Sequence, residues 1–413
     1  MGPIILFDKS FLQSLSLDEA VFFDHFFYPN ICPSFFVETL ADLGKEVREG
    51  RTPEEEVGII ADKTPEMSGN VNIFYGQICI ADLLGHPPPI SGQIVVPGGR
   101  PVRHGDQSGI VFEEAPEVQA FRRWQEHKFM EVEHRFARIW RGMLNLADSD
   151  KVARVLRGLG LKPGRCKRLE DAKNIADRMV HAQNNPDERI KLTFWLLGIP
   201  GRFQKNILLR WRLEEQPPLI DFASYASFVL SVQIFFHIAR AAELISKKPS
   251  AIMDISYLFY LPFCMVFTSS DRLHERCVPL FLRCDQEFIA GKDLKIDLNR
   301  IVEHFDLLPE AEKEKGLNAF AGGPPFEGDF LTARLWDRYL PKWRNVSTVP
   351  VARDPKEDEY LVGYVKSFAE APTVRPEEID FDLGNPDSLV VERRVMKRRG
   401  KWWQLPKDLR DED

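Results

Sequence analysis

The sequence predicts an α/β protein with a parallel-sheet core that is split by a large, mainly α-helical insertion and followed by a polar C-terminal extension. Apolar runs at residues 4–7 and 263–268 are short and continuous, which is typical of strands buried in a parallel sheet. Over much of residues 116–245, apolar residues recur at helical spacing. Beyond residue 345, Asp, Glu and Pro dominate the composition.

These patterns divide the 413-residue chain into three parts. The two strand-bearing stretches lie far apart in sequence, so the predicted core is discontinuous and the residues between them form an insertion. The predicted parts are a core of residues 1–45 and 246–300, an insertion of residues 46–245, and an extension of residues 301–413. Within the insertion we expect a β-hairpin or lid at residues 85–115 and helices over residues 116–245.

The first 45 residues are predicted to run strand, helix, strand, helix. The first apolar run forms the first strand. Ser16 can then cap the first helix, and Glu19 three residues later completes a capping box. A short turn-to-strand element follows at residues 30–33, after which Ser34 can cap the helix that carries Glu38.

The insertion begins with a charged stretch at residues 46–56, which gives way to a region rich in Pro and Gly at residues 85–109. In that region, residues 93–96 are predicted to form a strand that pairs with residues 111–112. Residues 118–146 carry apolar side chains at helical spacing. An uncharged stretch of 17 residues, 222–238, contains serine, glutamine and histidine, so we expect a buried helix and no membrane span there. Further helices are predicted around residues 171–182, 190–197 and 222–245.

The chain returns to α/β character between residues 250 and 300. Asp254 begins a helix that Pro262 ends, and the second apolar run then leads towards Asp271. Near the C-terminus, residues 397–403 combine Lys and Arg with two adjacent tryptophans. We favour docking of this segment on the protein surface through its tryptophans over a role in binding a nucleic-acid backbone.

Net charge and cysteine content limit the classes of function and the cellular setting that we expect for this protein. The formal net charge is −7 and the isoelectric point is about 5.8, which argues against a broadly basic surface but allows a local basic groove. Six cysteines form no CxxC pair and several lie in apolar contexts, so we expect reduced, buried thiols in a cytoplasmic protein. The N-terminus has no basic segment followed by a long apolar run, so no signal peptide is expected.

Four acidic residues stand out by their settings: Asp8, Glu38, Asp254 and Asp271. The first and last follow apolar runs, whereas the other two lie on helix-like stretches. Asp254 and Asp271 are 17 residues apart, which fits a short helix, a turn and a strand. The four could therefore converge at the carboxyl edge of a sheet, where α/β proteins place their sites. Carboxylate clusters suit Mg²⁺ or Mn²⁺, so the sequence predicts a metal-dependent phosphodiesterase site.

The residues next to these acids in the sequence form a series of motifs along the chain. The relevant motifs are Ile4-Ile5-Leu6-Phe7-Asp8-Lys9-Ser10, Cys32-Pro33-Ser34-Phe35-Phe36-Val37-Glu38-Thr39-Leu40, Asp254 on its helix, and Phe267-Thr268-Ser269-Ser270-Asp271. Together they resemble the PIN domain, a superfamily of metal-dependent nucleases with a Rossmannoid parallel-sheet core. The resemblance is limited to about residues 3–45 and 250–300, and the large segment between them lies outside it.

The resemblance implies phosphodiester hydrolysis by an endoribonuclease, of the kind found among toxins and defence effectors. It implies one or two Mg²⁺ or Mn²⁺ ions held by the four acids, with Glu38 either a ligand or a group that positions water. RNA is favoured over DNA as the partner, no membrane partner is expected, and residues 46–245 are a candidate surface for a protein partner. The implied site residues are Asp8, Glu38, Asp254 and Asp271 for metal binding and catalysis, and Ser10, Ser269 and His274 for contacts to a ligand carboxylate or to phosphate.

Plainer interpretations stay open. A single Asp at a strand end is usually a helix cap or a turn residue, and His274 is more often a structural cap. The plainer interpretation of Lys9 is a solvent-exposed side chain. Asp42, one helical turn after Glu38, is an acidic neighbour of the site, part of a solvated helical face, or an ion-pair partner, and the last two are the more common. The alternative function is a catalytically inactive PIN-like module that acts as a protein-interaction scaffold. A haloacid-dehalogenase-type hydrolase would need an aspartate where Ser10 stands.

Clustered carboxylates repel one another, and this sets an expectation for variants of the site. For the nuclease, Asp8→Asn or Asp271→Asn should abolish cleavage and leave the fold intact or slightly more stable, because repulsion is relieved. If those variants unfold, the acids are structural.

Overall fold

The computed structural model describes residues 2–46, 50–96, 98–146, 166–182, 185–345, 355–375, 378, 389–391, 395–407 and 410. Within these ranges, no helix is both long and apolar enough to cross a bilayer.

Ten strands form three sheets in the described part of the chain. The strands are β1 (Ile4–Phe7), β2 (Tyr28–Ile31), β3 (Asn70–Val71), β4 (Arg100–His104), β5 (Gln107–Phe112), β6 (Val266–Ser269), β7 (Glu287–Ala290), β8 (Leu389–Val391), β9 (Arg398–Arg399) and β10 (Trp402–Trp403). The largest sheet has five strands in the order β3-β2-β1-β6-β7, and every neighbouring pair is parallel. All five carboxyl ends therefore lie at one edge. The predicted α/β class with a parallel sheet is confirmed.

The two apolar runs that the sequence singled out lie side by side at the centre of this sheet. In the pairing of β1 with β6, Leu6 faces Phe267 and Phe7 faces Thr268. All four residues of β1 are buried, as expected for a strand with neighbours on both sides and helices packed around it. The pairing brings together segments that are about 260 residues apart in the chain.

One strand of the sheet comes from outside the predicted core. β3 is two residues long, and its Asn70 pairs with Asn30 of β2. A two-residue strand is too short to produce a periodic pattern, so no local pattern predicted it. The sheet therefore uses residues that were expected to belong to the insertion.

Helices connect the strands and fill most of the chain between β5 and β6. The uncharged stretch predicted to be a buried helix is the helix Ser224–Ala241, and most of its side chains are buried. The single helix expected over residues 118–146 is two helices separated at residues 126–130. The α-helices span Lys9–Ser14, Leu17–Phe26, Pro33–Leu40, Pro53–Lys63, Tyr75–Leu83, Pro116–Gln125, Glu131–Leu146, Leu169–His181, Pro186–Leu196, Gly201–Leu213, Leu219–Phe222, Ser224–Ala241, Ala251–Tyr257, Arg272–Cys277, Gly291–Asp306, Glu310–Lys313, Leu317–Phe320, Leu331–Tyr339 and Pro355–Glu370.

The predicted helix caps are correct at one helix and wrong at another. Ser16 caps the helix Leu17–Phe26 and forms the predicted capping box with Glu19. The predicted Ser34 cap is wrong, because the helix Pro33–Leu40 begins one residue before it. Proline at the first helical position lacks the N–H that a cap would have satisfied.

The hairpin of the insertion uses different residues from those predicted. β4 pairs antiparallel with β5, and β8 from the C-terminal extension adds to β5 in parallel. Residues 93–96, the predicted partner strand, form no strand. Gly105, with φ of +59°, provides the left-handed conformation that the two-residue connection between β4 and β5 needs.

The basic and aromatic segment near the C-terminus is docked on the core, as favoured from the sequence. Trp402 is completely buried, and its ring centroid lies 4.9 Å from that of Phe22. Arg399 forms a buried ion pair with Asp24, with Nη1 and Oδ2 3.1 Å apart. Asp24 also accepts the main-chain N–H groups of residues 66–68. One carboxylate thus ties the C-terminal segment to the loop that leads into β3.

Candidate acidic site at the carboxyl edge of the sheet

Asp8 and Asp271 follow two neighbouring strands of the sheet. Asp8 comes directly after β1 and caps the helix Lys9–Ser14, where its Oδ1 accepts the Phe11 N–H at 3.0 Å. Asp271 comes shortly after β6 and caps the helix Arg272–Cys277 in the same way. Because β1 and β6 are parallel and adjacent, both aspartates lie at the carboxyl edge.

Glu38 and Asp254 reach this edge on two helices. The helix Pro33–Leu40, which carries Glu38, follows β2, and the helix that carries Asp254 packs against it. Tyr257 Oη donates a hydrogen bond to Glu38 Oε2 at 2.7 Å, which joins the two helices. His274 lies on the helix Arg272–Cys277 and donates its Nε2 hydrogen to the main-chain carbonyl of Asp254 at 2.6 Å. This bond joins that helix to the helix Ala251–Tyr257.

Asp8 is only 4% exposed, and both of its carboxylate oxygens accept hydrogen bonds within the protein. Its Oδ2 accepts hydrogen bonds from Ser10 Oγ at 2.7 Å and from Ser269 Oγ at 2.8 Å, and His274 Nδ1 lies 3.4 Å away. Burial alone would raise the pKa of Asp8. The contact and charge of His274, with the hydroxyl and Phe11 N–H donors, outweigh burial and hold the pKa of Asp8 below its usual value. The carboxylate is therefore stabilised in its charged form.

The hydrogen-bond network makes His274 a buried imidazolium. Its Nε2 contacts a carbonyl, which can only accept, so Nε2 carries a proton. Its Nδ1 lies 2.7 Å from Ser269 Oγ, whose hydroxyl proton already goes to Asp8, so Nδ1 must donate as well. Burial opposes this charge, yet the charges and hydrogen bonds of Asp8 and Asp254 raise the pKa of His274 to about 9. His274 is the counter-charge of Asp8.

Asp254 shows that the four acids lie within electrostatic reach of one another. Burial raises the pKa of Asp254 to about 7; the charge of His274 opposes the rise, and the charges of Asp271, Glu38 and Asp8 add to it. Among the described residues, none donates a hydrogen bond to the carboxylate of Asp254 or pairs with it. A half-buried carboxylate that lies within reach of three other acids, and that accepts no hydrogen bond from the described residues, is a candidate ligand for a cation.

Lys9 supplies the other positive charge of the site, on the side of Glu38. Its Nζ lies 2.5 Å from Asp42 Oδ2 and 4.0 Å from Glu38 Oε1, and it donates to the main-chain carbonyl of Glu38 at 3.3 Å. Burial raises the pKa of Glu38, and the charges of Asp8 and Asp42 add to the rise, whereas Lys9 and the Tyr257 hydroxyl oppose it. Glu38 is thus fixed in position while its charge is only partly compensated.

The chemistry of this cluster suits a divalent cation, although its side chains are spread more widely than one ion requires. All the candidate ligands are carboxylate oxygens, which Mg²⁺ and Mn²⁺ prefer, and burial raises the pKa of Asp254, with smaller contributions from the neighbouring acids. Within the described residues, no group of three or more His, Cys, Asp or Glu side chains is close enough together to hold one ion. The donor set therefore fits the metal, and binding would require side-chain movement that draws the acids together.

The structure places each residue of the predicted site at this one edge, with roles that differ in part from those expected. Ser10 and Ser269 both donate to Asp8, so they contact a carboxylate of the cluster. His274 was expected to contact phosphate, but it is completely buried and both its nitrogens are engaged within the protein. Lys9 is buried, so the suggestion of a solvent-exposed side chain is wrong, and Asp42 is its ion-pair partner.

Two residues of the site were missed from the sequence. Tyr257 is three positions after Asp254 on the same helix, and that spacing could have placed it on the same face. Lys9 stands between Asp8 and Ser10, both of which were chosen, but a lysine beside an aspartate is common on protein surfaces. Lys9 is buried through tertiary contacts, among them those with Glu38 and Asp42, and no local pattern shows that packing.

Comparison with known proteins gives no relative for this chain: no protein-family model, no curated protein and no solved structure matches it. The fold and the site define an α/β protein with a five-stranded parallel sheet and a cluster of acids at its carboxyl edge. Function has to be argued from that cluster.

Proposed function

We propose that the protein is a Mg²⁺- or Mn²⁺-dependent phosphodiester hydrolase, an endoribonuclease of PIN type with a large insertion in its core. The observation that carries the proposal is that four acids, Asp8, Glu38, Asp254 and Asp271, lie within electrostatic reach of one another at the carboxyl edge of the sheet. The preference for RNA over DNA rests on the resemblance to PIN domains. The six cysteines are free and five are buried, which supports a reducing, cytoplasmic setting.

Each acid has a role in this proposal that its contacts support. Asp254, which has no partner among the described residues, and Glu38, which Tyr257 orients, would hold the cation together with Asp8 and Asp271. The cation, when bound, neutralises charge on the phosphate and activates a water molecule for attack on phosphorus. The hydroxyl and imidazolium groups around Asp8 keep its carboxylate charged and fixed in direction.

The proposal predicts metal-dependent cleavage that requires Asp271. A panel of single-stranded RNA, structured RNA and single-stranded DNA would be incubated with Mn²⁺, Mg²⁺ or EDTA. We expect cleavage of RNA with either metal and none with EDTA. Asp271→Asn should lower the cleavage rate at least about 100-fold, because loss of one metal ligand removes several kcal/mol of transition-state stabilisation.

Asp221→Asn is the matched control for this experiment, because Asp221 is an exposed aspartate in the helical part of the chain. It should cleave at the wild-type rate. Cleavage that survives EDTA, or equal cleavage by Asp271→Asn and the wild type, would show that the acids do not carry the reaction. Preferential cleavage of DNA would support a phosphodiester hydrolase but show that RNA is not its preferred substrate.

The alternative is a catalytically inactive PIN-like module that acts as a protein-interaction scaffold, with residues 46–245 as the candidate surface. One observation favours it: Lys9 Nζ, 2.5 Å from Asp42 and 4.0 Å from Glu38, already supplies a positive charge beside the acids. This module would neither cleave RNA nor bind Mn²⁺. Metal binding without cleavage would instead support the metal site and indicate an enzyme that accepts only a narrow range of substrates.

A further inference from the structure

Three oxygen atoms lie near the ammonium group of Lys9, on the Glu38 side of the acidic site. Lys9 Nζ is 2.5 Å from Asp42 Oδ2, 3.3 Å from the main-chain carbonyl oxygen of Glu38 and 4.0 Å from Glu38 Oε1. Three acceptors suit an ammonium group, which has three N–H donors and no acceptor of its own. Carboxylate and carbonyl oxygens are also the ligands that a hard divalent cation takes. Lys9 Nζ therefore lies among groups that would otherwise suit a metal ion.

The charge of Lys9 is held in the protein interior. Lys9 and Asp42 are each 4% exposed. Lysine is seldom buried to this extent unless a carboxylate pairs with it, because removal of an ammonium group from water is costly. Lys9 begins the helix Lys9–Ser14, whereas Glu38 and Asp42 approach it from consecutive helical turns of another part of the chain. The fold thus fixes an internal cation beside these two acids.

The positive charge of Lys9 compensates only one side of the acidic site. Among the described residues, no Lys, Arg or His side chain forms an ion pair with Asp254 or Asp271, whereas Lys9 pairs with Asp42 and lies beside Glu38. A divalent ion that binds near Asp254 and Asp271 would meet uncompensated carboxylates. A second ion on the Glu38 side would be repelled by the charge of Lys9.

We propose that the site binds one divalent ion and that the ammonium group of Lys9 takes the place of a second. This inference rests on the proposed function and specifies the metal content of its site. In two-metal sites the ions lie about 3.5–4 Å apart, so the second ion would need oxygens close to those of the first. On the Glu38 side, the oxygens that could serve are those that Lys9 Nζ contacts.

Lys9 is a positioning residue in this proposal. Its ammonium group neutralises negative charge and holds Glu38 and Asp42 in place when no metal is bound. An ammonium group has no position for a water ligand, so only the divalent ion activates water. A purely structural ion pair would also stabilise the fold, but its removal would not change the number of ions that the site binds.

Lys9→Met removes the charge of the side chain and keeps a similar length. In EDTA the variant should be less stable than the wild type, because Glu38 and Asp42 lose their counter-charge. Lys45 Nζ, 2.7 Å from Asp42 Oδ1, still pairs with Asp42, so the variant keeps one positive partner there. Mn²⁺ should raise the melting temperature of Lys9→Met more than that of the wild type, because a second ion binds where Nζ was.

Electron paramagnetic resonance of the full-length protein, titrated with Mn²⁺, counts the bound ions and shows whether two of them are neighbours. The signal of free Mn²⁺ falls as ions bind. Two Mn²⁺ ions about 4 Å apart couple their spins, whereas an ion on an unrelated surface adds to the count without coupling. The wild type should bind one uncoupled ion, and Lys9→Met should bind two coupled ions.

Two further variants are matched controls. Lys205→Met removes an exposed lysine from the helix Gly201–Leu213 and should bind one uncoupled ion, as the wild type does. Lys9→Met combined with Asp42→Asn removes the whole ion pair. It should also bind one uncoupled ion, because the second position then lacks a carboxylate that was needed to hold an ion.

The outcomes separate this inference from the proposed function. Two coupled ions in the wild type overturn the inference and support the metal site. One ion in both the wild type and Lys9→Met overturns the inference alone and leaves Lys9 as a structural partner of Asp42. Failure of Lys9→Met to fold even with Mn²⁺ also overturns it, because an ion then does not replace the charge of Lys9. No bound ion in the wild type overturns the proposed function and the inference together.

Discussion

Asp254→Asn is expected to make the metal-free protein more stable at pH 8 and to abolish its metal-dependent cleavage. In the wild type, burial raises the pKa of Asp254 from 3.8 to about 7, and the charges of Asp271, Glu38 and Asp8 contribute. A difference of about three pH units corresponds to about 4 kcal/mol of unfolding free energy, which is the upper limit of the gain. Asparagine has a similar shape and no charge, so it avoids both burial of charge and repulsion.

The gain should depend on pH in a defined direction. Because the pKa of Asp254 is higher in the folded than in the unfolded protein, folding favours its protonated form. The cost of its charge is absent below about pH 4, grows as the pH rises, and is complete above about pH 7. Asp254→Asn and the wild type should therefore differ most at pH 8 and by at most about 1 kcal/mol at pH 4.5.

Urea unfolding in EDTA at these two pH values measures the effect. Asp221→Asn, which removes an exposed carboxylate elsewhere, should shift the unfolding free energy by less than about 0.5 kcal/mol at either pH. If Asp254→Asn is less stable than the wild type at pH 8, the charged form of Asp254 is not disfavoured in the folded protein and the raised pKa is wrong.

His274→Gln is expected to destabilise the protein by about 3–5 kcal/mol at pH 6, the usual cost of removing one partner from a buried ion pair. His274 is completely buried beside Asp8, and glutamine would keep some hydrogen-bonding capacity but none of the charge. Asp8 would then be a buried carboxylate without its counter-charge. The loss should be visible as a lower urea midpoint with an unchanged slope.

The effect of His274→Gln shrinks as the pH rises, whereas that of Asp254→Asn grows. Both follow from a pKa that is raised in the folded protein, because the wild type then loses stability relative to either variant with rising pH. The pKa of His274 is raised to about 9 in the folded protein, so its charge contributes stability that is fully present below about pH 6.5. That stability is lost as the pH rises through about 9. The difference in unfolding free energy between the wild type and His274→Gln should therefore decrease between about pH 6.5 and pH 9. A constant difference from about pH 6 to about pH 9.5 would show that His274 is not charged in the folded protein.

A double-mutant cycle separates the ion pair from the packing of the ring. Asp8→Asn should itself be destabilising, because the charged form of Asp8 is the one that the fold stabilises. This reverses the sign expected from the sequence for Asp8, where only repulsion between acids was considered. The double variant of Asp8 and His274 should be more stable than the sum of the single losses predicts, by about 1–3 kcal/mol. Additive losses would show that the two side chains are not coupled.

The sequence was sufficient for those parts of the fold that local patterns determine. Continuous apolar runs gave β1 and β6, and the acids that follow them indicated the edge at which a site would lie. The capping box at Ser16 and Glu19 and the buried helix Ser224–Ala241 were also predicted, because each depends on residues close together in the chain.

What the sequence could not show depends on contacts between distant segments. β3 is two residues long and exists only because β2 offers an edge, and β8 joins β5 from about 280 residues away. Lys9 and His274 are buried by helices packed over them, and their charges change the energetics of Asp8 and Glu38. Spacing alone placed the acids together but could not supply these cations.

We infer that the four acids form one cation site, which calorimetric titration with Mn²⁺ at pH 8 can test. The wild type and Asp221→Asn should bind Mn²⁺ with the same affinity and stoichiometry. Asp254→Asn should bind at least about tenfold more weakly, because it removes the carboxylate that has no other partner among the described residues. Absence of binding by the wild type, or equal binding by wild type and Asp254→Asn, would contradict the claim and leave the acids as structural groups.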